Sequence, residues 1–232
     1  SNLSHMPAVQ DHKRAYEGYT GPNTGGMGTY SDSDHSLPFL EKSHILAAQK
    51  INQMTADALR NKFNEGYKGI LYGGFIATKD GVKVIEYNAR FGDPEAMNVL
   101  SILETDLIDI CSAIINEELN TIDIRFNNSA TVCKYAVPEG YPDDPIKNKE
   151  IDVAEVADTD KLFYASVELK NDKLFEMGSR TVAVVGAGDS IWEAEEIAEK
   201  EVSKIKGPLF HRKDIGTTEL IQKKINNMHS LK

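Results

Sequence analysis

The stretch VIEYNARFGDPE, residues 84–95, sets Glu86, Asn88 and Arg90 at alternate positions. Side chains two apart on a β-strand share a face, so a strand that persists this far presents a carboxylate, an amide oxygen and a guanidinium together. A carboxylate with an amide oxygen suits Mg2+, which prefers oxygen, takes one or two protein carboxylates and completes its octahedron with water and phosphate oxygens. The guanidinium suits the phosphate itself, because its planar fork meets oxygens in pairs and stays charged at any relevant pH. Spacing alone leaves a plainer alternative open: the polar solvent face of any half-buried strand alternates in the same way.

A second cluster is QDHKRAY, residues 10–16. In a chain of net charge −10, His12, Lys13 and Arg14 concentrate two permanent positive charges and an imidazole beside Asp11. Such a local field attracts a phosphate, although in isolation the same residues also make a solvated basic turn. Directly after them, TGPNTGGMGTYS (residues 20–31) gathers Gly21, Pro22, Gly25, Gly26 and Gly28 into a run with almost nothing to bury. Glycines permit close approaches that a β-carbon blocks, so this segment can aim several N–H groups at an anion. It is not a P-loop, because no Lys-Ser or Lys-Thr follows the glycines and no apolar strand precedes them. VAVVGAGDSIWE, residues 182–193, imitates a dinucleotide fingerprint, but Ile191 stands where the third glycine belongs. No acidic residue closes a following strand there, so the segment reads as a strand-to-helix turn.

These residues need elements to hold them. Residues 40–66 space Ile45, Leu46, Met54, Leu59 and Phe63 at helical intervals, with Gly66 where the helix stops. Residues 69–78 and 82–88 are β-type runs joined by Lys79-Asp80-Gly81, and an Asp-Gly pair between such runs signals an antiparallel hairpin. From Pro94 to Leu119 an apolar stripe through Leu100, Leu103, Leu107, Ile110 and Ile114 predicts one long helix. A second unit then offers the strands ATVCKYAVP, LFYASVELK, DKLFEMG and RTVAVVGAG, with a turn at Asn171-Asp172. A helix follows from Ser190, capped with Glu193, and a final short helix is capped by Thr217 or Thr218. The polar stretch GYPDDPIKNKE is a loop within this unit.

Composition narrows the classes. At 232 residues and 41% hydrophobic, the chain can bury a core of one large domain or two modest ones. No run of eighteen apolar residues and no leader pattern is present, which points to a cytoplasmic protein that spans no membrane. Net charge of −10 argues against nucleic acid as a partner, since that needs clustered Lys and Arg. Cys111 and Cys133 lack CxxC spacing and sit among apolar neighbours, so both read as reduced core thiols. The first six residues, SNLSHM, read as a cloning remnant.

QDHKR, GPNTGGMG, VIEYNARFGDPE and HRKDIG occur here in the order and contexts that resemble the glycinamide ribonucleotide synthetase family, the phosphoribosylamine–glycine ligases of purine biosynthesis in the ATP-grasp superfamily. The resemblance covers residues 7–228 and implies that a preceding N-terminal domain and the first part of the ATP-grasp domain are missing. It implies an α+β fold: the second half of an ATP-grasp domain over residues 7–125, an antiparallel sheet with flanking helices, then a smaller mixed α/β C-terminal domain over 126–232. It implies an ATP-dependent carbon–nitrogen ligase that joins glycine to 5-phosphoribosylamine through a glycyl phosphate, releasing ADP and phosphate. Partners are those small molecules, and a piece lacking half the site is expected to form no amide on its own.

By the same resemblance, Glu86 and Asn88 hold Mg2+ or Mn2+, and Arg90 is catalytic, contacting the γ-phosphate or acyl phosphate. Lys13, Arg14, Asn23, Thr24, Gly25, Gly26 and Gly28 shape the substrate pocket. Asp93 and Glu95 orient Arg90 or close the pocket, or else serve as ordinary loop and helix-start caps, and HRKDIG reaches the site or merely packs ahead of the last helix. His12 and Asp11 are alternative proton acceptors. One departure stands out: many ATP-grasp relatives carry a further acidic ligand on the preceding strand, where this chain has LYGGFIAT, so the number of metals stays open. Two other readings remain: another ATP-grasp carboxylate–amine ligase or carboxylase, and a non-catalytic binding module.

Overall fold

The computed structural model describes residues 2–230. It opens with β1 (Gln10–Asp11), the hairpin β2 (Arg14–Tyr16) and β3 (Thr20–Asn23), and β4 (Gly28–Ser31). Next come α1 (Lys42–Phe63), β5 (Tyr72–Thr78), β6 (Gly81–Asn88), α2 (Glu95–Leu100) and α3 (Leu107–Ile115). The remainder is β7 (Ala130–Pro138), β8 (Glu150–Ile151), β9 (Leu162–Tyr164), β10 (Val167–Lys170), β11 (Lys173–Glu176), β12 (Val182–Gly188), α4 (Ile191–Val202), β13 (Leu209–Phe210) and α5 (Thr218–His229). The fold is α+β, with antiparallel pairing throughout.

The core forms where β-branched and small residues alternate over two faces. One sheet runs β1-β4-β7-β12-β9, with β13 also pairing β7. Every residue of β7 is buried, as are Val182–Gly186 of β12. Helix α4 covers one face through Ile191, Ala194 and Ala198, which join the core cluster of Val132, Tyr135 and Val185. A Cβ at Gly186 would overlap the Ala194 carbonyl oxygen, so this glycine lets the helix lie directly on the strand. The partial dinucleotide pattern is thereby accounted for by packing. Ser190 caps α4 by accepting the Glu193 N–H, and Thr217 caps α5 by accepting that of Leu220.

The boundary drawn at residue 125 does not divide the sheet, because β1 and β4 precede it while β7, β12, β9 and β13 follow it. Hairpin β5–β6 and helix α1 lie where periodicity and the Asp-Gly turn put them. Helix α1 ends on left-handed Asn64, ahead of Gly66.

Three local expectations fail. The single helix from Pro94 to Leu119 is two helices: Asp106 caps α3 by accepting the Ile108 N–H, and the turn before it is held by Glu104 N–H on the Arg125 carbonyl. Cys111 is exposed on α3, and only Cys133 is a buried thiol. The glycine segment also buries more than its composition suggests, since Met27, Thr29 and Tyr30 are wholly enclosed. Among the described residues no helix is long and apolar enough to cross a membrane.

Candidate functional site

Hairpin β5–β6 carries Glu86 and Asn88 at its C-terminal end, and a register shift at Gly74/Phe75 leaves Gly74 opposite Glu86 and Tyr72 opposite Asn88. The two polar side chains share a face, with Asn88 Nδ2 donating to Glu86 Oε1 at 3.3 Å. Arg90 lies beyond the strand end, steered by its Nη1 bond to the Phe91 carbonyl at 2.7 Å. All three line a cleft of about 320 Å³ together with Lys13, Gly25, Asp93, Tyr72, Glu95 and Arg180. The cleft thus gathers seven of the residues singled out in the sequence: Lys13, Gly25, Glu86, Asn88, Arg90, Asp93 and Glu95.

The donor set suits a hard cation that finds most of its ligands elsewhere. Glu86 and Asn88 stand side by side, and a rotation of the Asn88 amide presents its oxygen beside the carboxylate. No group of three or more His, Cys, Asp or Glu able to hold a metal exists among the described residues. A pair of oxygen donors of this kind suits Mg2+, which keeps waters and phosphate oxygens in its shell.

Other predicted residues are placed differently. Arg14 donates to the Gly21 carbonyl at 2.8 Å and closes the β2–β3 hairpin, in which Asn23 faces it. Thr24 donates through Oγ1 to the Lys13 carbonyl at 2.9 Å and accepts the Gly26 N–H at 3.0 Å. The Thr24 N–H goes to the Lys13 carbonyl, that of Met27 to the His12 carbonyl, and that of Gly25 to the Tyr141 hydroxyl. These amides are therefore spent inside the protein, and the loop does not form the expected anion nest. Gly26 is needed because a Cβ there would come 2.7 Å from Pro94 Cδ, and one at Gly28 would overlap the Cys133 carbonyl. Arg14, Asn23, Thr24, Gly26 and Gly28 brace the wall of the cleft without lining it.

The basic motif also divides. Lys13 pairs with Asp11 at 2.7 Å; burial works against its charge, but the carboxylate holds its ammonium above the ordinary range. His12 is fully buried, with Nδ1 donating to the Gly28 carbonyl at 3.1 Å. Burial, helped by the positive charges of Lys224 and Arg212, pushes its imidazole down to about 3, so it is neutral at working pH. Arg212 of HRKDIG binds Asp214 through two nitrogens and the Arg14 carbonyl through a third, so the motif packs against the β2–β3 hairpin, and none of its residues lines the cleft.

Asp93 does not orient Arg90. Its partner is Arg180, whose Nη1 and Nη2 reach the two carboxylate oxygens at 3.1 and 3.0 Å. Arg180 Nη1 also donates to the Asp93 carbonyl at 2.9 Å and to the Gly25 carbonyl at 3.1 Å, and its guanidinium stacks 4.8 Å from the Tyr135 ring centre. Tyr135 hydroxyl gives Asp93 a further bond at 2.9 Å. One arginine thus ties the glycine loop to the end of the hairpin segment. Nothing in SRTVAVV marked it, because its partners are distant in sequence. Tyr72 was equally unmarked; its hydroxyl donates to Glu95 Oε1 at 2.6 Å. Burial, together with the nearby negative charge of Asp11, raises the Glu95 carboxyl, and burial likewise raises that of Asp11.

The phosphoribosylglycinamide synthetase ATP-grasp (A) domain matches residues 1–96, and the C domain of the same synthetase matches residues 131–218. The A-domain match takes in SNLSHM, the segment read as a cloning remnant. The phosphoribosylamine–glycine ligase of Methanosarcina acetivorans is 53% identical over the whole of this chain, which covers 52% of that protein. The ligase of Methanocaldococcus jannaschii is 53% identical over 99% of the chain and 52% of its own length. The chain therefore spans about half the length of the curated relatives it matches. Among solved structures, the phosphoribosylamine–glycine ligase of Thermotoga maritima superposes with a TM-score of 0.74 at 28% identity, covering 90% of this chain and 51% of that one. A biotin carboxylase domain from Hydrogenobacter thermophilus, 16% identical with a TM-score of 0.56 over 88% of this chain and 42% of its own, shares the fold. With both domain matches in order and the ATP-grasp hairpin in place, the chain belongs to the phosphoribosylglycinamide synthetase family.

Proposed function

We propose that this chain supplies one wall of the active site of a cytoplasmic ATP-dependent ligase that joins glycine to 5-phosphoribosylamine, in purine biosynthesis. The observation that carries this reading is the convergence of Glu86, Asn88, Arg90 and Lys13 on one cleft, two oxygen donors facing two permanent cations. Glu86 and Asn88 hold Mg2+, or Mn2+, which when bound shields the charge of the nucleotide phosphates. Arg90 holds the transferring phosphoryl group by its guanidinium fork, and Lys13 adds a positive charge to the same wall. Phosphoryl transfer asks the protein chiefly for such positioning and charge stabilisation.

The reaction has two halves. The glycine carboxylate attacks the γ-phosphorus of ATP, giving glycyl phosphate and ADP. The amine of phosphoribosylamine then attacks the acyl carbon, and phosphate leaves. Adenine and the remaining triphosphate contacts come from the other half of the enzyme, an N-terminal part of the same polypeptide.

The test uses the whole ligase containing this chain. Glu86→Ala is expected to abolish Mg2+-dependent ADP formation in the presence of glycine and phosphoribosylamine, while circular dichroism stays unchanged. Undiminished ADP formation removes Glu86 from this role.

A further inference from the structure

Amide formation leaves the attacking nitrogen with one proton too many, and on the ligase reading, on which this inference rests, a group on this wall of the cleft can receive it. The residues lining the cleft leave few choices. Arg90 and Arg180 carry permanent charge and cannot accept a proton. Lys13 is held as an ammonium by Asp11. Asp93 has both oxygens on Arg180 and one also on the Tyr135 hydroxyl. Glu86 is committed beside Asn88 to the cation. His12 lies fully buried outside the cleft lining. Asp11 is also absent from the lining, with one oxygen on the His12 N–H and the other on Lys13.

Glu95 remains. It stands at the first turn of α2, its side chain turned inward so that the residue is 6% exposed although it lines the cleft. Oε1 takes the Tyr72 hydroxyl at 2.6 Å, which fixes the carboxylate plane. Oε2 lies against Gly92, where a Cβ would come within 2.6 Å of it, and both residues line the cleft.

We propose that Glu95 is the catalytic residue that takes the proton from the attacking amine. As the nitrogen lone pair forms the N–C bond, the acyl C–O bond of the glycyl phosphate breaks and the phosphate departs with its electron pair. The nitrogen's surplus proton passes to Glu95 Oε2, leaving a neutral amide and a protonated carboxyl. The groups facing Glu95 are Tyr72 from β5, Asp11 and Lys13 from β1 and the residues after it, and Cys133 from β7. Burial and Asp11 place its carboxyl above the ordinary range, closer to neutrality, which favours a general base.

The experiment separates the two halves of the reaction in the whole ligase. Glu95→Gln keeps the size of the side chain and its acceptor for Tyr72. It should retain glycine-dependent oxygen scrambling in 18O-bridge-labelled ATP, which reports acyl phosphate formation, and lose amide formation by roughly 10²–10⁴-fold. The acidic limb of the amide-forming rate should vanish with it. Tyr72→Phe removes a bond that holds the Glu95 carboxyl down, so in that variant the acidic limb should move to higher pH. Unchanged amide formation in Glu95→Gln, equal loss of both halves, or an unmoved limb in Tyr72→Phe overturns the assignment. Absence of glycine-dependent scrambling in the unsubstituted protein instead overturns the ligase reading, and the role of Glu95 with it.

Discussion

A histidine beside a lysine and an arginine reads in sequence as part of a basic patch, yet its own burial decides its charge. His12 stacks on Tyr19 and meets Tyr30, and its ring is driven down to about 3 by burial and by Lys224 and Arg212. In the unfolded chain the same ring takes a proton near its ordinary pKa of about 6.5. Below that pH the unfolded chain binds a proton that the folded protein refuses. The contribution is therefore fully present above about pH 6.5 and is lost, at about 1.4 kcal/mol per pH unit, as pH falls toward 3. His12→Asn, whose amide can keep the bond to the Gly28 carbonyl, removes this dependence. Urea unfolding at pH 7 and pH 5 should show the parent losing about 2 kcal/mol more than the variant; parallel losses would refute a neutral buried imidazole. What was legible at this scale was the strand periodicity that pairs Glu86 with Asn88. Arg180, Tyr72 and the confinement of His12 were not, because each depends on a contact between segments distant in sequence.

At the scale of elements, the helices and hairpins that repeat a period or end in a turn signal were readable, and the exceptions had local causes. A stripe at helical spacing runs through Leu100, Leu103 and Leu107, but the stripe cannot say that Asp106 will start a new helix by capping Ile108. Glycines are similarly ambiguous until packing is known. Gly186 has an ordinary backbone conformation, and what it supplies is the absence of a β-carbon beneath α4. Lys134, fully buried in β7, then locks the same helix by donating to Glu195 and Glu199 at 2.7 Å each. Gly186→Ala must push the helix off the strand and strain both ion pairs. The expected cost is at least ~1–3 kcal/mol, the range for overpacking a well-filled core. By contrast Gly18→Ala, with open space around it and only a left-handed φ of 66° to accommodate, should cost about 1 kcal/mol. Urea midpoints for the two variants decide the matter, and equal midpoints would contradict close packing at Gly186.

Over the whole molecule, the buried core and the hairpin that carries Glu86 and Asn88 sit in different places. The sheet centred on β7 and β12 draws strands from both sides of residue 125, so the two family domains share one hydrophobic core. Helix α1 and hairpin β5–β6 instead make their main contacts with one another. The hairpin is only two strands wide and leaves Ile85 65% exposed, with Ile76 and Val84 also outward. An isolated two-stranded hairpin is marginally stable in water, so the segment bearing Glu86 and Asn88 has to open more readily than the sheet beneath it. Native-state hydrogen exchange read by mass spectrometry should find peptides over 72–88 exchanging well before those over 130–138 and 182–188. The protected peptides should open only with global unfolding, and urea should speed the 72–88 peptides little at concentrations where the sheet is still intact. Equal protection in the two regions would mean that the hairpin bearing Glu86 and Asn88 belongs to the same cooperative unit as the sheet.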